Sequence, residues 1–131
     1  METRRLKTTE VSQARDILLK KQDYICPLCN GLMKTLKDKR PVLDHDHNTG
    51  FLRDVLCLNC NGIEGKVFNL ARRARNGMTE REWLGRLLAY WMRHEKPQHG
   101  GVWHPKHKTP AEKRLALNKK AREKRAALKE K

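Results

Sequence analysis

Residues 41–61 read Pro41-Val42-Leu43-Asp44-His45-Asp46-His47-Asn48-Thr49-Gly50-Phe51-Leu52-Arg53-Asp54-Val55-Leu56-Cys57-Leu58-Asn59-Cys60-Asn61, and the fold turns on how this stretch is parsed. Pro41-Val42-Leu43 predicts a short strand. His47-Asn48-Thr49-Gly50 predicts a turn rich in residues that tolerate left-handed backbone, and Phe51 to Leu56 the returning strand. The hairpin carries two carboxylates and two imidazoles in four consecutive positions, Asp44 to His47. Carboxylates suit a hard cation such as Mg²⁺, and a neutral imidazole suits general-base work near pH 7. Together they offer a metal-bound phosphate and a water activator in one place, which is what hydrolysis of a phosphodiester needs. A polar turn with solvent-facing Asp and His is the competing reading of such a string. The surroundings argue against it: cysteine pairs flank the hairpin, and Asn61, a neutral oxygen ligand, opens the segment that follows.

Working outward, the four cysteines form two Cys-x-x-Cys pairs, Cys26/Cys29 and Cys57/Cys60, with 27 residues between them. A two-residue spacer lets both thiolates of a pair reach one ion at about 2.3 Å, and two pairs complete the closed tetrahedron of structural Zn²⁺. Disulfides would need an oxidising compartment that nothing in the chain implies. A thioredoxin-type redox pair would need one Cys-x-x-Cys beside a βαβ pattern. Zinc is the reading that the spacing favours.

Helical periodicity brackets this core. Thr8 and Thr9 are candidate caps of a helix reaching about Lys21, with Val11, Ala14, Ile17 and Leu18 on one face. After Cys60, the residues Ile63, Val67, Phe68, Leu70, Ala71 and Ala74 recur at helical intervals until Asn76-Gly77. Thr79 with Glu82 forms a capping box opening a helix whose Trp83, Leu84, Leu87, Leu88 and Trp91 make a broad apolar stripe, of a kind that serves as core or as an interface between copies. Residues 97–110 read as a linker, and Thr109 to Glu112 as a further capping box starting a basic helical tail over residues 111–131. The expected organisation is a domain over 1–96, a linker over 97–110 and the tail. His94, His99, His104 and His107 lack metal-site spacing and read as part of a solvated linker.

Thirty Lys and Arg against fifteen Asp and Glu give a formal charge of +15, and only 37% of residues are apolar, so a large multilayered core is excluded. Lys108 to Lys131 contributes +7 and the remainder +8, so the body is basic as well as the tail. Four thiolates and one Zn²⁺ would lower the total only to +13. Charge of this size repels itself unless a polyanion or anionic surface neutralises it, and a nucleic acid is the expected partner. No apolar run approaches the roughly 20 residues of a bilayer span, and Met1 to Lys7 lacks the build of a signal peptide, so no membrane association is expected and a cytoplasmic location is.

Over Gln22 to Gly65 the chain resembles the ββα-metal (His-Me finger) nucleases of HNH type, and among them the phage recombination endonuclease VII family. The resemblance rests on Cys26-Pro27-Leu28-Cys29, Leu43 to His47, Gly50, Arg53, Leu56 to Asn61 and Glu64-Gly65. It implies an α+β fold: a zinc-stabilised ββα-metal core with flanking helices. It further implies structural zinc on Cys26, Cys29, Cys57 and Cys60, and a catalytic Mg²⁺ or Mn²⁺ on Asp44 and Asn61. His45 would activate the attacking water, and His47 and Glu64 match further active-site positions. The implied activity is a metal-dependent DNA endonuclease acting on branched or distorted DNA in the manner of a Holliday-junction resolvase, in the host cytoplasm if phage-encoded, with a homodimer as a further possibility. The alternatives are a general HNH nicking or homing-type endonuclease and a noncatalytic zinc-knuckle DNA-binding module, for which Asp44, His45 and Asn61 would be superfluous.

Two assignments stay open at this level. Strand alternation sends Asp44 and Asp46 to one face and His45 and His47 to the other, so Asp44 and His45 can serve one phosphate only where the strand ends or bends. His45 is the expected base and His47 its rival. Arg53, Lys66, Arg72, Arg73 and Arg75 are candidate DNA contacts, and the three arginines after the catalytic helix read equally well as a solvated helical face.

Overall fold

The computed structural model describes residues 3–34 and 37–130; Met1, Glu2 and Lys131, at the ends of the expected domain and tail, lie outside the described residues. The chain forms two compact units, Met1–Leu87 and Leu88–Lys131. In order, the regular elements are α1 (Val11–Lys21), β1 (Pro41–His45), β2 (Leu52–Cys57), α2 (Leu58–Ala74), α3 (Glu80–Arg93) and α4 (Pro110–Lys129), with short 3₁₀ turns at Thr8–Glu10 and Lys37–Lys39. The architecture is mixed α+β with one two-stranded antiparallel sheet among the described residues.

The first helical segment begins one residue earlier than the threonines suggest. Glu10 Oε2 accepts from the Lys7 backbone N–H at 2.6 Å, so a glutamate reaching back closes the start and neither Thr8 nor Thr9 acts as its cap. After α1, Gln22 uses its whole side-chain amide: Nε2 donates to the Val55 carbonyl at 2.9 Å and Oε1 accepts from the Val55 N–H at 2.8 Å. The amide thus pairs with β2 as a neighbouring strand would, and ties α1 to the hairpin.

In β1 and β2 the register runs Pro41 opposite Cys57, Val42 opposite Leu56 and Leu43 opposite Val55, and then slips so that His45 stands opposite Leu52. Two steps along β1 match three along β2, a bulge at the level of Asp44 that sets Arg53 and Asp54 against one residue. The hairpin closes over Asp46 to Phe51, and β2 begins at Leu52, one residue later than the pattern suggests. Asp46 Oδ1 accepts from the N–H groups of Asn48 and Thr49 at 2.8 and 2.9 Å, while the Gly50 N–H reaches the Asp46 carbonyl at 2.7 Å. Gly50 takes φ 78°, which only glycine adopts without strain.

The core of the first unit is small: Leu19, Cys26, Met33, Val55, Leu56 and Cys57 are buried, with Leu18, Leu43 and Cys60 packed against them. Cys26 and Cys57 therefore stand within the core, with Cys60 against it and Cys29 exposed. α2 starts at Leu58, inside the second cysteine pair and not after it, because Cys57 Sγ occupies the cap position and accepts from the Cys60 N–H at 3.5 Å. In α3 the expected capping box is present, Thr79 N–H to Glu82 Oε2 at 2.7 Å and Glu82 N–H to Thr79 Oγ1 at 3.2 Å. Its apolar stripe is not a finished core, since Leu88 and Trp91 are 57% and 60% exposed. No regular element lies between Arg93 and Pro110. α4 begins with the predicted box, Thr109 and Glu112 bonding each other's backbone N–H groups, and buries no residue.

Candidate metal centre and hairpin site

The Sγ atoms of Cys26, Cys29, Cys57 and Cys60 all lie within 4.8 Å of one another, and Cys29 and Cys57 are 3.9 Å apart. Zinc–sulfur bonds of about 2.3 Å in a tetrahedron set sulfur–sulfur edges near 3.8 Å, so the cluster has the size of a zinc site. The first pair is presented by a tight turn in which the Cys26 N–H meets the Gly31 carbonyl and the Asn30 N–H the Cys26 carbonyl, both at 2.9 Å, with Asn30 at φ 56°. A Cβ on Gly31 would come within 3.3 Å of Cys29 Sγ, so this turn has room for glycine alone without moving a sulfur. Burial opposes ionisation of Cys26, but N–H groups of Cys29, Cys57 and Leu28 with the Cys29 thiol bring its pKa down to about 6. Burial, then the neighbouring sulfurs, push Cys60 up to about 12. Four thiols so close share their protons unequally, and the donor set is suited to a cation that displaces them. Lys39 Nζ, 3.8 Å from Cys29 Sγ, supplies positive charge against the net −2 of a zinc tetrathiolate.

On the hairpin, Asp44 is buried and exchanges a two-pronged pair with Arg53, Nε to Oδ2 at 2.6 Å and Nη2 to Oδ1 at 3.0 Å. The same guanidinium reaches α2, where Nη1 meets Glu64 Oε1 at 3.1 Å. Hydrogen bonds to Asp44 and then Glu64 raise the Arg53 pKa further above its already high value. The bulge makes this possible, because it places Arg53 against Asp44 at the end of the strand. Two carboxylates from β1 and α2 thus converge on one positive charge, and that donor chemistry suits a hard cation. Asn61 lies one helical turn before Glu64 on the same face of α2.

The two imidazoles follow strand alternation. His45 and His47 are both exposed, and their rings lie 4.7 Å apart, while Asp44 turns inward. His47 joins Asp46, Asn48, Arg53, Glu64 and Phe68 in lining a small hollow. The structure therefore groups Asp44, Arg53 and Glu64 directly, sets His47 at their edge with His45 against it, and leaves Asp46 as the residue that builds the turn. Backbone N–H groups of Thr49 and Asn48 hold the Asp46 carboxyl below its usual range.

Of the candidate DNA contacts, Lys66 and Arg73 are exposed, whereas Arg72 and Arg75 are committed to a residue not anticipated from sequence. Glu80 Oε1 accepts from Arg72 Nε at 3.3 Å and from Arg75 Nη1 at 2.9 Å, which ties the end of α2 to the start of α3. Arg72 also lies over the Phe68 ring and bonds Asn48 Oδ1 at 3.1 Å, so it braces the hairpin turn. Gln22 and Glu80 carried no sequence signal, since each works through partners distant in the chain. The sequence offers Arg53 as a phosphate contact, and only the opposite charges around the hairpin point to its carboxylate partners.

A hairpin whose carboxylates converge beside paired histidines, followed by a helix that begins on a cysteine cluster, defines a small α+β protein built around four cysteines placed to bind zinc. The sequence profile of recombination endonuclease VII matches residues 2–93, and the chain belongs to that family. The match extends beyond Gly77, through α3 to its end. Gene 59 protein of Mycobacterium phage L5 and Gene 59 protein of Mycobacterium phage D29 are each 50% identical over 38 residues, 29% of this chain and 20% of theirs. The matched stretch is a fifth of the length of these curated relatives. No helix among the described residues is long and apolar enough to cross a membrane.

Proposed function

We propose that the chain is a metal-dependent endonuclease that hydrolyses phosphodiester bonds of branched or distorted DNA, with a ββα-metal (His-Me finger) core of HNH type formed by β1, β2 and α2. The observation that carries this reading is the convergence of Asp44 and Glu64 on one cationic position beside the adjacent, mutually tilted rings of His45 and His47. A noncatalytic DNA-binding module has no use for two carboxylates converging on one cationic position next to two exposed imidazoles.

In this reading Cys26, Cys29, Cys57 and Cys60 hold structural Zn²⁺, and Asp44 and Asn61 are the residues that would hold Mg²⁺ or Mn²⁺. The chemistry such an ion supplies when bound is neutralisation of charge at the scissile phosphate and its leaving oxygen. His45 takes a proton from water as the water oxygen bonds to phosphorus and the bond to the leaving sugar oxygen breaks. His47 supports the His45 ring. Glu64 fixes the guanidinium of Arg53, which turns to the phosphate once Asp44 is engaged elsewhere. Exposed Lys66 and Arg73 then meet neighbouring phosphates, joined by whichever of Arg72 and Arg75 Glu80 releases.

The nuclease domain spans 1–96 and acts in the host cytoplasm. Two copies would pair through the hollow of about 330 Å³ lined by Leu28, Cys60, Ile63, Val67, Phe68 and Leu84, with Glu64 at its edge toward the hairpin site. The test is cleavage of a four-way junction, a linear duplex and a single strand in Mg²⁺ or Mn²⁺, by wild type, His45→Ala and His47→Ala. His45→Ala should lose about 10² to 10⁴ in rate with the fold intact. Normal cutting by His45→Ala beside a dead His47→Ala moves the base to His47, and no cutting of any substrate by wild type rejects the nuclease reading.

A further inference from the structure

α4 lies beyond the residues that match the family, and its surface is organised rather than uniformly charged. Eight Lys and Arg face two Glu along its 20 residues, and every residue is exposed. A polar helix with no buried face gains nothing from its own unit and has its charge available for a partner. At about 100° per residue, Lys113, Lys120 and Lys124 fall on one line along the helix. Arg114 and Arg125 fall on a second line roughly 110° around, with Lys129 and Arg122 about 50° and 70° beyond it. Leu117, Ala121 and Leu128 run between the two lines, and Glu112 and Glu123 occupy the opposite side. The one ion pair of the helix among the described residues, Lys119 to Glu123 at 4.0 Å, is also on that far side and leaves both cationic lines unpaired.

We infer that α4 seats lengthwise in the major groove of duplex DNA, its two cationic lines meeting the phosphates of the two groove walls. The geometry fits: the groove is about 12 Å wide and a helix with its side chains is about 10 to 12 Å across. Two lines of positive charge separated by a narrow apolar strip match two lines of phosphate separated by a groove floor. A single flat phosphate surface would need only one line. Leu117, Ala121 and Leu128 offer the floor apolar contact with thymine methyls and no hydrogen-bonding code, so the seating is indifferent to sequence. The glutamates face away from the DNA. The inference shares with the nuclease reading only the choice of DNA as partner.

Binding of the full-length protein, measured without added Mg²⁺ or Mn²⁺, separates the two ideas, because it does not depend on cleavage. The probes are a plain 20-base-pair duplex, the same duplex with bulky C5 substituents on its pyrimidines, which fill the major groove without altering the phosphates, and a double-stranded RNA of equal length. Lys113→Ala/Lys120→Ala/Lys124→Ala should weaken binding to plain duplex on the order of 10²-fold at 0.1 M salt and reduce the slope of log K against log salt by about 2 to 3. Arg114→Ala/Arg125→Ala should reduce it by about 2, and Glu112→Gln/Glu123→Gln should not weaken binding. The C5-substituted duplex should bring wild type down to the affinity of the triple variant and leave that variant unchanged. The deep, narrow major groove of A-form RNA should make the lysine line matter little there. Equal wild-type affinity for plain and C5-substituted DNA, or an equal loss by the triple variant on RNA and DNA, overturns groove seating.

Discussion

Arg53→Met tests whether the hairpin site is a cation cage held shut by the protein's own cation. The substitution keeps the length and the apolar stem of the side chain and removes the charge. It leaves Asp44, only 6% exposed at its side chain, and Glu64 with no positive charge between them. Three charge-assisted hydrogen bonds disappear. Breaking a fully buried ion pair costs about 3 to 5 kcal/mol. The Arg53 side chain is 36% exposed, so solvent screens part of its interaction, and a loss of about 2 kcal/mol is the better figure. For a unit of this size that lowers the melting temperature by about 8 to 16 °C.

The informative measurement is thermal unfolding of zinc-loaded protein with and without Mg²⁺. In the variant Asp44 is no longer engaged by a guanidinium and is free, with Asn61, to take a divalent ion, and an ion at ten times its Kd returns about 1.4 kcal/mol. In the wild type Mg²⁺ must first displace the guanidinium, so its stabilisation is smaller. Mg²⁺ should therefore raise the melting temperature of Arg53→Met by several degrees more than that of wild type. Equal Mg²⁺ shifts in both proteins would refute the cage, and an unchanged melting temperature in metal-free Arg53→Met would show that the bridge holds nothing together.

Three further outcomes are expected. Cys57→Ser should lose helical circular dichroism, as should wild type after verified zinc removal, because ligation and folding are one equilibrium in a core this small; Asn61→Ala should keep its spectrum. Gln22→Ala should lower the denaturant midpoint by the equivalent of about 2 kcal/mol, since it strands the N–H and the carbonyl of buried Val55 together; an unchanged midpoint would mean that water replaces the amide. Glu80 has its pKa held below 4.5 by its own backbone N–H and by Arg72 and Arg75, against the opposing effect of burial. Its contribution to stability is complete above pH 4.5 and is lost as the pH falls below that value through the folded pKa. Glu80→Gln should accordingly flatten the acid limb of the stability–pH curve, and an unaltered limb would reject the bridge to Arg72 and Arg75.

Features written in adjacent residues were legible in the sequence. The hairpin, both Cys-x-x-Cys pairs and the capping boxes at Thr79 and Thr109 depend on partners within a few positions, and each is found where the local pattern puts it. The start of α2 was misplaced because a sulfur cap at Cys57 has no counterpart among the usual Ser, Thr, Asp and Asn caps. The Asp44–Arg53–Glu64 bridge needs a bulge in β2 and a helix turn 11 residues beyond the arginine, and no periodicity encodes a bulge. The stripe of α3 shows the converse limit: spacing reveals that Trp83, Leu84, Leu87, Leu88 and Trp91 share a face, but not how much of that face finds a partner within the chain.

The closeness of the second cysteine pair to Asn61 and Glu64 has a physical consequence. Cys57 caps α2, Cys60 lies in its first turn, Asn61 follows directly and Glu64 is one turn on, so both kinds of candidate ligand project from the same seven residues of helix. Isolated helix starts fray, because the first N–H groups have no partners within the helix. Here the sulfur of Cys57 takes one of them, and zinc on the four cysteines would fix Cys57 and Cys60 to Cys26 and Cys29 and remove the freedom that fraying requires. The Leu58 N–H, bonded to the Arg40 carbonyl at 2.8 Å, locks the same turn to the start of β1. Asp44 is four residues along that strand. With zinc bound, the distance between Asp44 on the hairpin and the oxygens of Asn61 and Glu64 on the helix would be set by a short, closed loop of ligation and hydrogen bonds rather than by the small hydrophobic core. A protein with so few buried apolar residues can in this way hold a carboxylate pair in register, and loss of zinc should dissolve the hairpin site and the fold in one transition.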